Sequence, residues 1–173
     1  AAQLAAGRLV MLRKKDGGQR PVVVPHALRR VAGKFLMRRI KPKVISHFGA
    51  EQMASGSSNG TTKIPIVVQT LLEKYKNFVC FQLDASNAFN SIDRKSALRE
   101  TIKSFPSVYR YIFSMYGRQS PLLYVSRAKD VDTYIRSYQG TQQGDPLGML
   151  IYTCGLKPSH RQAIEFLLDK MRQ

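Results

Sequence analysis

The sequence has no tryptophan, few acidic residues, only two cysteines and no long apolar run. A membrane-spanning helix needs about 20 consecutive apolar residues, so an integral membrane protein is not expected. Cys80 and Cys154 both lie among apolar neighbours, which argues against a disulfide framework or a cysteine metal cluster and favours a reducing, intracellular compartment. The hydrophobic fraction of 43% is that of a folded globular domain rather than a disordered chain.

The scarcity of acids leaves a large positive charge. Against 11 Asp and Glu stand 28 Lys and Arg, a net charge of +17 over 173 residues. Such an excess predicts a polyanionic partner, of which nucleic acid is the commonest; a merely solvated basic surface and an anionic membrane surface are the alternatives. The charge is densest near the N-terminus, where twelve basic residues between Arg8 and Lys43 face Asp16 as the single acid.

Apolar periodicity and turn residues predict a single α+β domain or slightly more. A hairpin is expected from strands 9–12 and 21–24 joined by Asp16-Gly17-Gly18. Helices are expected over 27–40, ended or interrupted by Pro42, then over 66–75, from 94 to before Pro106, over 107–116, from 147, and from a Pro158-Ser159 cap onward. Further strands are expected over 77–83, 122–125 and 134–138, with a small polar loop over 54–62.

The helix predicted over 27–40 combines an apolar face with a basic one. The residues at helical spacing that form the expected apolar face are Leu28, Val31, Phe35, Leu36 and Ile40. The basic residues expected to contact RNA on this helix and just after it are Arg29, Arg30, Lys34, Arg38, Arg39, Lys41 and Lys43. Their density is what binding to a phosphate backbone requires.

Asp84 directly follows the predicted strand 77–83, in which Val79, Phe81 and Leu83 alternate on one face. A carboxylate at a strand end next to small residues suits a magnesium ion that also binds phosphate oxygens. Taken alone, an aspartate that caps the following turn is the better explanation. Asp93 is interpreted as a helix cap, since it stands where the next helix begins.

Three other stretches contain candidate nucleotide contacts, each with an ordinary structural alternative. "TQQGDPLG" (141–148) offers glutamine amides and a glycine before a helix, and it is also a common loop-to-helix junction. Lys14, Lys15 and Arg20 flank a glycine turn that is either a triphosphate clamp or a solvated hairpin tip. Phe89 either stacks against a sugar or fills the core.

In combination and order, these segments resemble the reverse transcriptase domain of non-long-terminal-repeat retrotransposons and their group II intron-like relatives. "KKDGGQRPVVV" is similar to the fingers hairpin, "HALRRVAGKFLMRRI" to the following template-facing helix, "LDASNAFNSIDR" to the first palm motif and "GTQQGDPLG" to the second. The resemblance spans nearly the whole chain. It implies a right-hand polymerase fold, here fingers over 1–76 and a partial palm over 77–173 without a thumb.

The resemblance also implies roles for individual residues. Asp84 falls on the catalytic metal-binding aspartate, and Ala85 on the neighbouring backbone carbonyl ligand for Mg²⁺. Arg20 and a lysine, for which we choose Lys15 over Lys14, would hold the triphosphate. Phe89 would screen the sugar 2′ position, and Gln143 and Gly144 would lie near the nascent base pair.

One departure from the family pattern determines the functional expectation. Two-metal polymerase chemistry needs further carboxylates, which the family supplies from an aromatic-x-Asp-Asp hairpin, and this sequence has none. We therefore expect the 173 residues to bind RNA in a ribonucleoprotein, such as a ribosome-like particle. Asp84 would then be vestigial, without a working magnesium site. Other proteins are expected to cover an open sheet edge. The alternatives are a fragment of an active RNA-directed DNA polymerase, completed by another piece, and a weakly folded remnant without a selected partner. The first residue is Ala1 rather than Met, and the sequence does not say whether either end is natural.

Overall fold

The hairpin at the N-terminus forms as the sequence predicts. The computed structural model describes residues 2–49, 52–57, 59–125 and 133–172. In it β1 (Gly7–Arg13) pairs antiparallel with β2 (Gln19–Pro25), and the register runs from Gly7 opposite Pro25 to Arg13 opposite Gln19. At the tip Gly17 adopts a φ of 83°, and the Gly18 amide donates to the Asp16 carboxylate at 3.0 Å. Glycine is needed there because a positive φ strains other residues.

Two later strands extend this hairpin into a four-stranded sheet. Strand β3 (Ser120–Tyr124) pairs parallel with β1, and β4 (Thr133–Ser137) pairs antiparallel with β3, giving the order β2-β1-β3-β4. Leu9, Val23 and Leu122 are buried together on the sheet. The sheet thus joins strands from both sides of residue 76, and the division into 1–76 and 77–173 stays a prediction.

Eight helices are present in the described ranges. They are α1 (Ala2–Ala5), α2 (Ala27–Phe48), α3 (Met53–Gly56), α4 (Gly60–Lys74), α5 (Ala88–Ser91), α6 (Arg94–Ser104), α7 (Pro106–Tyr116) and α8 (Gly148–Arg172). The predictions for α6 and α7 are confirmed, and the Asp93 carboxylate caps α6 by accepting from the Ser96 amide at 2.6 Å. The expected loop 54–62 instead contains α3 and the start of α4, while Ser58 of that loop lies outside the described residues.

Two helices continue through prolines at which the sequence predicted an end or interruption (Pro42) and the start of a new helix (Pro158). Helix α2 continues through Pro42 to Phe48, and α8 continues through Pro158 to Arg172. Both prolines are exposed, so each removes one backbone hydrogen bond without forcing its ring into the core. Beyond Pro42, Val44 and Phe48 are buried, and their burial offsets the cost of continuing the helix.

The main core lies where α2, α6, α7 and the first half of α8 meet. Its fully buried members include Val44, Phe105, Ile112, Leu150 and Ile151. These helices surround the segment between β4 and α8, so the core also supports the turn that the sequence marked as "TQQGDPLG". The α+β prediction is confirmed by this architecture.

The apolar face predicted for α2 is buried only in part, since Ile40 is buried and Leu36 packs against the core but the other three residues do not. Leu28, Val31 and Phe35 are each about two-thirds exposed, at 64%, 67% and 64%, whereas Arg29 and Gly33 face inward. Gly33 lies against Pro146 so closely that an added Cβ would be 3.3 Å from its ring. Docking on the polar turn 141–148 therefore decides the orientation of the first half of α2.

The segment 77–83 is not a strand in this structure, contrary to the prediction. Val79, Phe81 and Leu83 are 75%, 81% and 94% exposed, and Cys80 is exposed as well. A strand needs a partner for its backbone hydrogen bonds. In the part of the chain that the structure describes, no strand lies beside this segment.

Candidate nucleotide-binding cleft

The hairpin, the Asp84 segment and the turn after β4 meet at one open cleft of about 710 Å³. Most residues that sequence reasoning singled out for nucleotide binding line it. They are Arg20, Asp84, Ala85, Phe89 and Gln143, together with Lys14. They come from three separate parts of the sequence, so only the fold brings them together.

Lys14, rather than our choice Lys15, lines the cleft beside Arg20 and Asp84. Lys15 instead lies with Asp16 in a smaller groove of about 440 Å³ at the hairpin tip, which Lys14 and Arg20 also reach. The choice of Lys15 is therefore corrected to Lys14. The sequence could not separate the two because they are adjacent at a turn, where strand alternation no longer fixes which side each faces.

Phe89 is held firmly at the edge of the cleft. Its ring stacks on the Tyr152 ring, with centroids 4.7 Å apart and planes 29° from parallel. Its carbonyl oxygen accepts from the Thr141 amide at 2.6 Å. The half-buried ring is thus held by Tyr152, and the backbone that carries it by Thr141.

Gln143 and Gly144 connect the turn to the hairpin. The Val23 amide donates to the Gln143 carbonyl oxygen at 2.8 Å. Gly144 has a φ of 111°, and a Cβ there would collide with the Val23 carbonyl oxygen. Gln143 lines the cleft, whereas Gly144 is not among its lining residues and is needed for close backbone approach to β2. Its place near a base pair stays a prediction.

Arg94 fixes the chain just before this turn. The guanidinium group is buried and donates to the Ser137, Gln139 and Gly140 carbonyl oxygens at 2.9, 2.7 and 2.8 Å, and to the Ser137 hydroxyl at 2.8 Å. Burial lowers the pKa of Arg94 from its usual value, and four acceptors nonetheless keep its donors satisfied. One side chain of α6 thus positions the entry to the turn.

Arg29 and Asp145 form a buried ion pair that fixes the other end of the turn. Arg29 also donates to the Ala5 carbonyl oxygen at 2.9 Å, and the Asp145 carboxylate accepts from the Leu147 amide at 2.8 Å. The prediction that Arg29 belongs to the RNA-binding surface is wrong in this structure, since the residue is 1% exposed. Nothing in the sequence separated it from its neighbour Arg30.

Tyr116 lies beside both arginines. The guanidinium carbons of Arg29 and Arg94 are 5.1 and 5.4 Å from its ring centroid, and its hydroxyl oxygen accepts from the Gln142 amide at 3.3 Å. Burial first, and then the Asp145 charge, raise the pKa of Tyr116 well above its usual range. Tyr116, Arg94, Asp145 and Tyr152 all support the cleft, and sequence reasoning missed each of them because their partners are distant in the chain.

The other basic residues predicted on α2 are exposed. They are Arg30, Lys34, Arg38, Arg39, Lys41 and Lys43. At 3.6 residues per turn, 30, 34, 38 and 41 form one stripe and 39 and 43 another. The exposed apolar residues 28, 31 and 35 lie between these stripes. Around the exposed side of α2, a basic stripe, a row of apolar residues and a second basic stripe therefore follow one another.

The two residues predicted to hold magnesium, Asp84 and Ala85, both line the cleft. Asp84 is exposed and is the one carboxylate among the described lining residues. Within the described ranges, no group of three or more His, Cys, Asp or Glu side chains could hold a metal ion. Mg²⁺ is commonly bound by one or two carboxylates together with substrate phosphates, so Asp84 and the Ala85 carbonyl fit such an ion only with a bound triphosphate. Along the same ranges, no helix is long and apolar enough to cross a membrane.

Comparison with known proteins agrees with this arrangement. The family model "Reverse transcriptase (RNA-dependent DNA polymerase)" matches residues 12–168. The retrovirus-related Pol polyprotein from the type-1 retrotransposable element R2 of Nasonia vitripennis is 28% identical over 158 residues, which are 85% of this chain and 15% of that protein. A structure of apo telomerase from Candida tropicalis, truncated from its C-terminal domain, has the same fold, with a TM-score of 0.59 and 15% identity over 96% of this chain and 40% of that one.

Proposed function

The chain belongs to the reverse transcriptase family, and on that premise we propose that it forms the RNA-gripping and nucleotide-binding part of such a protein. One observation carries the proposal: Lys14, Arg20, Asp84, Phe89 and Gln143 line a single cleft although they are far apart in sequence. Random placement of family-like motifs on an unrelated fold would not produce that convergence.

In the proposed function each side chain of the cleft acts on a different part of a nucleoside triphosphate. Lys14 and Arg20 neutralise the phosphate oxygens, as cationic donors do at phosphoryl sites. Asp84 holds a magnesium ion that neutralises further phosphate charge when it is bound. Phe89, fixed by Tyr152, excludes a 2′-hydroxyl by occupying the space beside the sugar.

The RNA would lie on the exposed basic residues of α2. Six cations in two stripes can contact successive phosphates, and such contacts are independent of base sequence. The rigid connection between α2 and the turn through Arg29 and Asp145 then couples the position of the RNA to the cleft.

We further propose that the 173 residues alone bind without polymerising, as an RNA-binding component of a ribonucleoprotein. Primer extension needs two metal ions, and Asp84 is the single described carboxylate in the cleft. The chain spans 15% of the retrotransposon polyprotein and 40% of the telomerase chain, so activity of a longer protein is a separate matter.

A second candidate is favoured by the exposed segment 77–83. Val79, Phe81 and Leu83 next to Asp84 form an apolar row that would be buried if another strand paired beside it. In that case a separate segment supplies the remaining carboxylates, and this chain is the fingers and first palm portion of an active RNA-directed DNA polymerase.

Titration with a deoxynucleoside triphosphate and Mg²⁺, followed by calorimetry, tests the cleft. Lys14→Ala and Arg20→Ala should each weaken binding at least tenfold, since hydrogen bonds to charged groups contribute about 1.5–3 kcal/mol. Lys15→Ala is the matched control and should change the affinity less than twofold. Equal losses from Lys14→Ala and Lys15→Ala would contradict the assignment of the cleft.

RNA binding at several salt concentrations tests the α2 surface. Changing Arg30, Lys34 and Arg38 together to Gln should reduce the slope of log affinity against log salt by about 2 to 3, roughly one unit for each phosphate that is no longer neutralised. Binding that is insensitive to salt would contradict phosphate recognition.

Primer extension on an RNA template distinguishes the two candidates. The 173-residue chain with Mg²⁺ should give no product. Product that disappears with Asp84→Ala would establish the active-polymerase alternative and overturn the binding-only proposal.

A further inference from the structure

A second groove, between α6 and α7, carries a feature that the cleft does not explain. Its volume is about 720 Å³, within the roughly 300–1,000 Å³ of sites for small ligands. No described residue lines both the groove and the nucleotide cleft. Because α6 joins α7 directly at Phe105, the N-terminus of α6 and the C-terminus of α7 lie at the same end of the groove.

The groove is lined by both aromatic rings and cations. The rings are Tyr109, Phe113 and Tyr138, and the exposed cations are Lys95, Arg99 and Arg118. Phe113 is 49% exposed and Tyr138 67% exposed. The centroids of Tyr109 and Phe113 are 5.5 Å apart and their planes are 36° from parallel, so the two rings are adjacent surfaces on which bases could stack.

The charge of the groove lining indicates that its ligand is an anion. Among the described lining residues of the groove there is no aspartate or glutamate, and the whole chain carries a net charge of +17. Arg94 and Tyr116 close the bottom of the groove and are already engaged in supporting the turn. Lys95, Arg99 and Arg118 are exposed, so their charges are accessible to an external anion.

We infer that this groove is a second RNA-binding site that takes unstacked bases of a single strand. Aromatic platforms flanked by Lys and Arg bind single-stranded nucleic acid because bases stack on the rings while the cations contact phosphates. Paired bases are stacked on one another and cannot enter. An acidic peptide would satisfy the cations but would leave the exposed rings without flat partners. The site goes beyond the proposed function, since it lies outside both the cleft and the α2 surface.

The test compares a fluorescent single-stranded oligouridylate with an RNA hairpin of equal length, by anisotropy on the 173-residue chain at fixed salt. Phe113→Ala and Tyr138→Ala should each weaken single-strand binding about tenfold, within the range measured for loss of one base–aromatic stack, and change hairpin binding less than twofold. Phe166→Ala, an equally exposed ring on α8, and Arg110→Gln, an exposed cation of α7 outside the groove, are the matched controls and should change neither.

The outcomes separate this site from the α2 surface. The α2 triple variant should weaken single strands and hairpins alike, whereas groove variants should affect single strands only. A 4-thiouridine strand should also crosslink to peptides containing Phe113 or Tyr138.

Unchanged single-strand binding in both ring variants would overturn the proposal that the groove binds RNA. Loss of polyglutamate binding in Arg99→Gln, with RNA binding unchanged, overturns it in favour of a protein partner. If the unmodified chain binds no RNA, both the groove proposal and the proposed RNA binding on α2 are overturned. The proposed nucleotide binding in the cleft would not be affected.

Discussion

The two walls of the nucleotide cleft are held very differently. The wall formed by Phe89 and Gln143 is fixed by Tyr152, Thr141 and Val23, and the turn behind it by two buried arginines. The wall that carries Asp84 follows a segment in which apolar side chains are almost wholly exposed. Contacts within this chain therefore fix the first wall, whereas no described strand pairs with the segment that leads to Asp84.

This difference has a physical basis in how the two walls obtain their hydrogen bonds. The turn at 137–147 satisfies its backbone through side chains and neighbouring loops that are all present in the chain. A strand can satisfy its backbone only beside another strand. The predictions below each break or sharpen this comparison, from the largest expected effect to the smallest.

Breaking the buried ion pair should have the largest effect. Asp145→Ala leaves Arg29 charged and buried, so we expect the free energy of unfolding in urea to fall by about 3–5 kcal/mol. Glu100→Ala, which breaks the exposed pair with Lys103, is the matched control and should cost less than about 1 kcal/mol. Equal losses would show that the Arg29–Asp145 pair does not hold the fixed wall.

Truncating a buried apolar residue should lower the free energy of unfolding, whereas truncating an exposed one should hardly change it. Ile151→Ala should lower the free energy of unfolding by about 2–5 kcal/mol, because Ile151 is fully buried. Leu83→Ala should change it by less than about 0.5 kcal/mol, as for other surface substitutions. A large loss for Leu83→Ala, measured on the same chain, would mean that the segment 77–83 is packed in solution.

The two cysteines report on the two regions directly. Burial raises the pKa of the Cys154 thiol to about 11, so at neutral pH it holds roughly 100-fold less thiolate than an ordinary cysteine, and the thiolate is the reactive form. Ellman's reagent should therefore modify exposed Cys80 at least about 100-fold faster than Cys154. The single variants Cys80→Ser and Cys154→Ser assign the two phases, and equal rates would contradict the difference between the walls.

The same pKa shift gives a pH dependence of stability with a definite sign. Because the folded-state pKa of Cys154 is raised, its contribution is complete below the unfolded pKa of about 8.5 and is lost as the pH rises toward 11. Urea unfolding should show that stability declines over this window, and less steeply in Cys154→Ser.

Replacing Gly144 should affect stability less than breaking the buried ion pair does, and should have a clear effect on the cleft. Gly144→Ala places a Cβ against the Val23 carbonyl oxygen at a φ of 111°, at a cost of about 1–3 kcal/mol. Triphosphate binding should weaken because Gln143 moves with the turn. Gly17→Ala, a positive-φ glycine with open space around it, is the control for strain without collision.

Much of the fold follows from local signals in the sequence. The hairpin, helices α6 and α7, the Asp93 cap and the turn before α8 were predicted because glycine, proline and capping residues act on their immediate neighbours. The candidate site was predicted through family-like motifs as far as Arg20, Asp84, Phe89 and Gln143, which do line one cleft.

Several predictions that failed concern contacts between distant segments, whereas the loop 54–62 and the helices through Pro42 and Pro158 are local failures. Lys14 rather than Lys15 lines the cleft, Arg29 is buried instead of exposed, and Leu28, Val31 and Phe35 of α2 are exposed. In each case neighbouring residues of similar chemistry differ only in what lies opposite them, and one-dimensional spacing does not contain that information.

The sequence by itself determined the charge of this protein, its turns and caps, and the motifs that mark the reverse transcriptase family. The tertiary structure alone decided which lysine lines the cleft beside Arg20, that Arg29 is buried against Asp145 rather than exposed, and that 77–83 pairs with no described strand. The physical reason is that turns and caps are stabilised by residues a few positions apart, whereas buried ion pairs and strands need partners that only folding brings together.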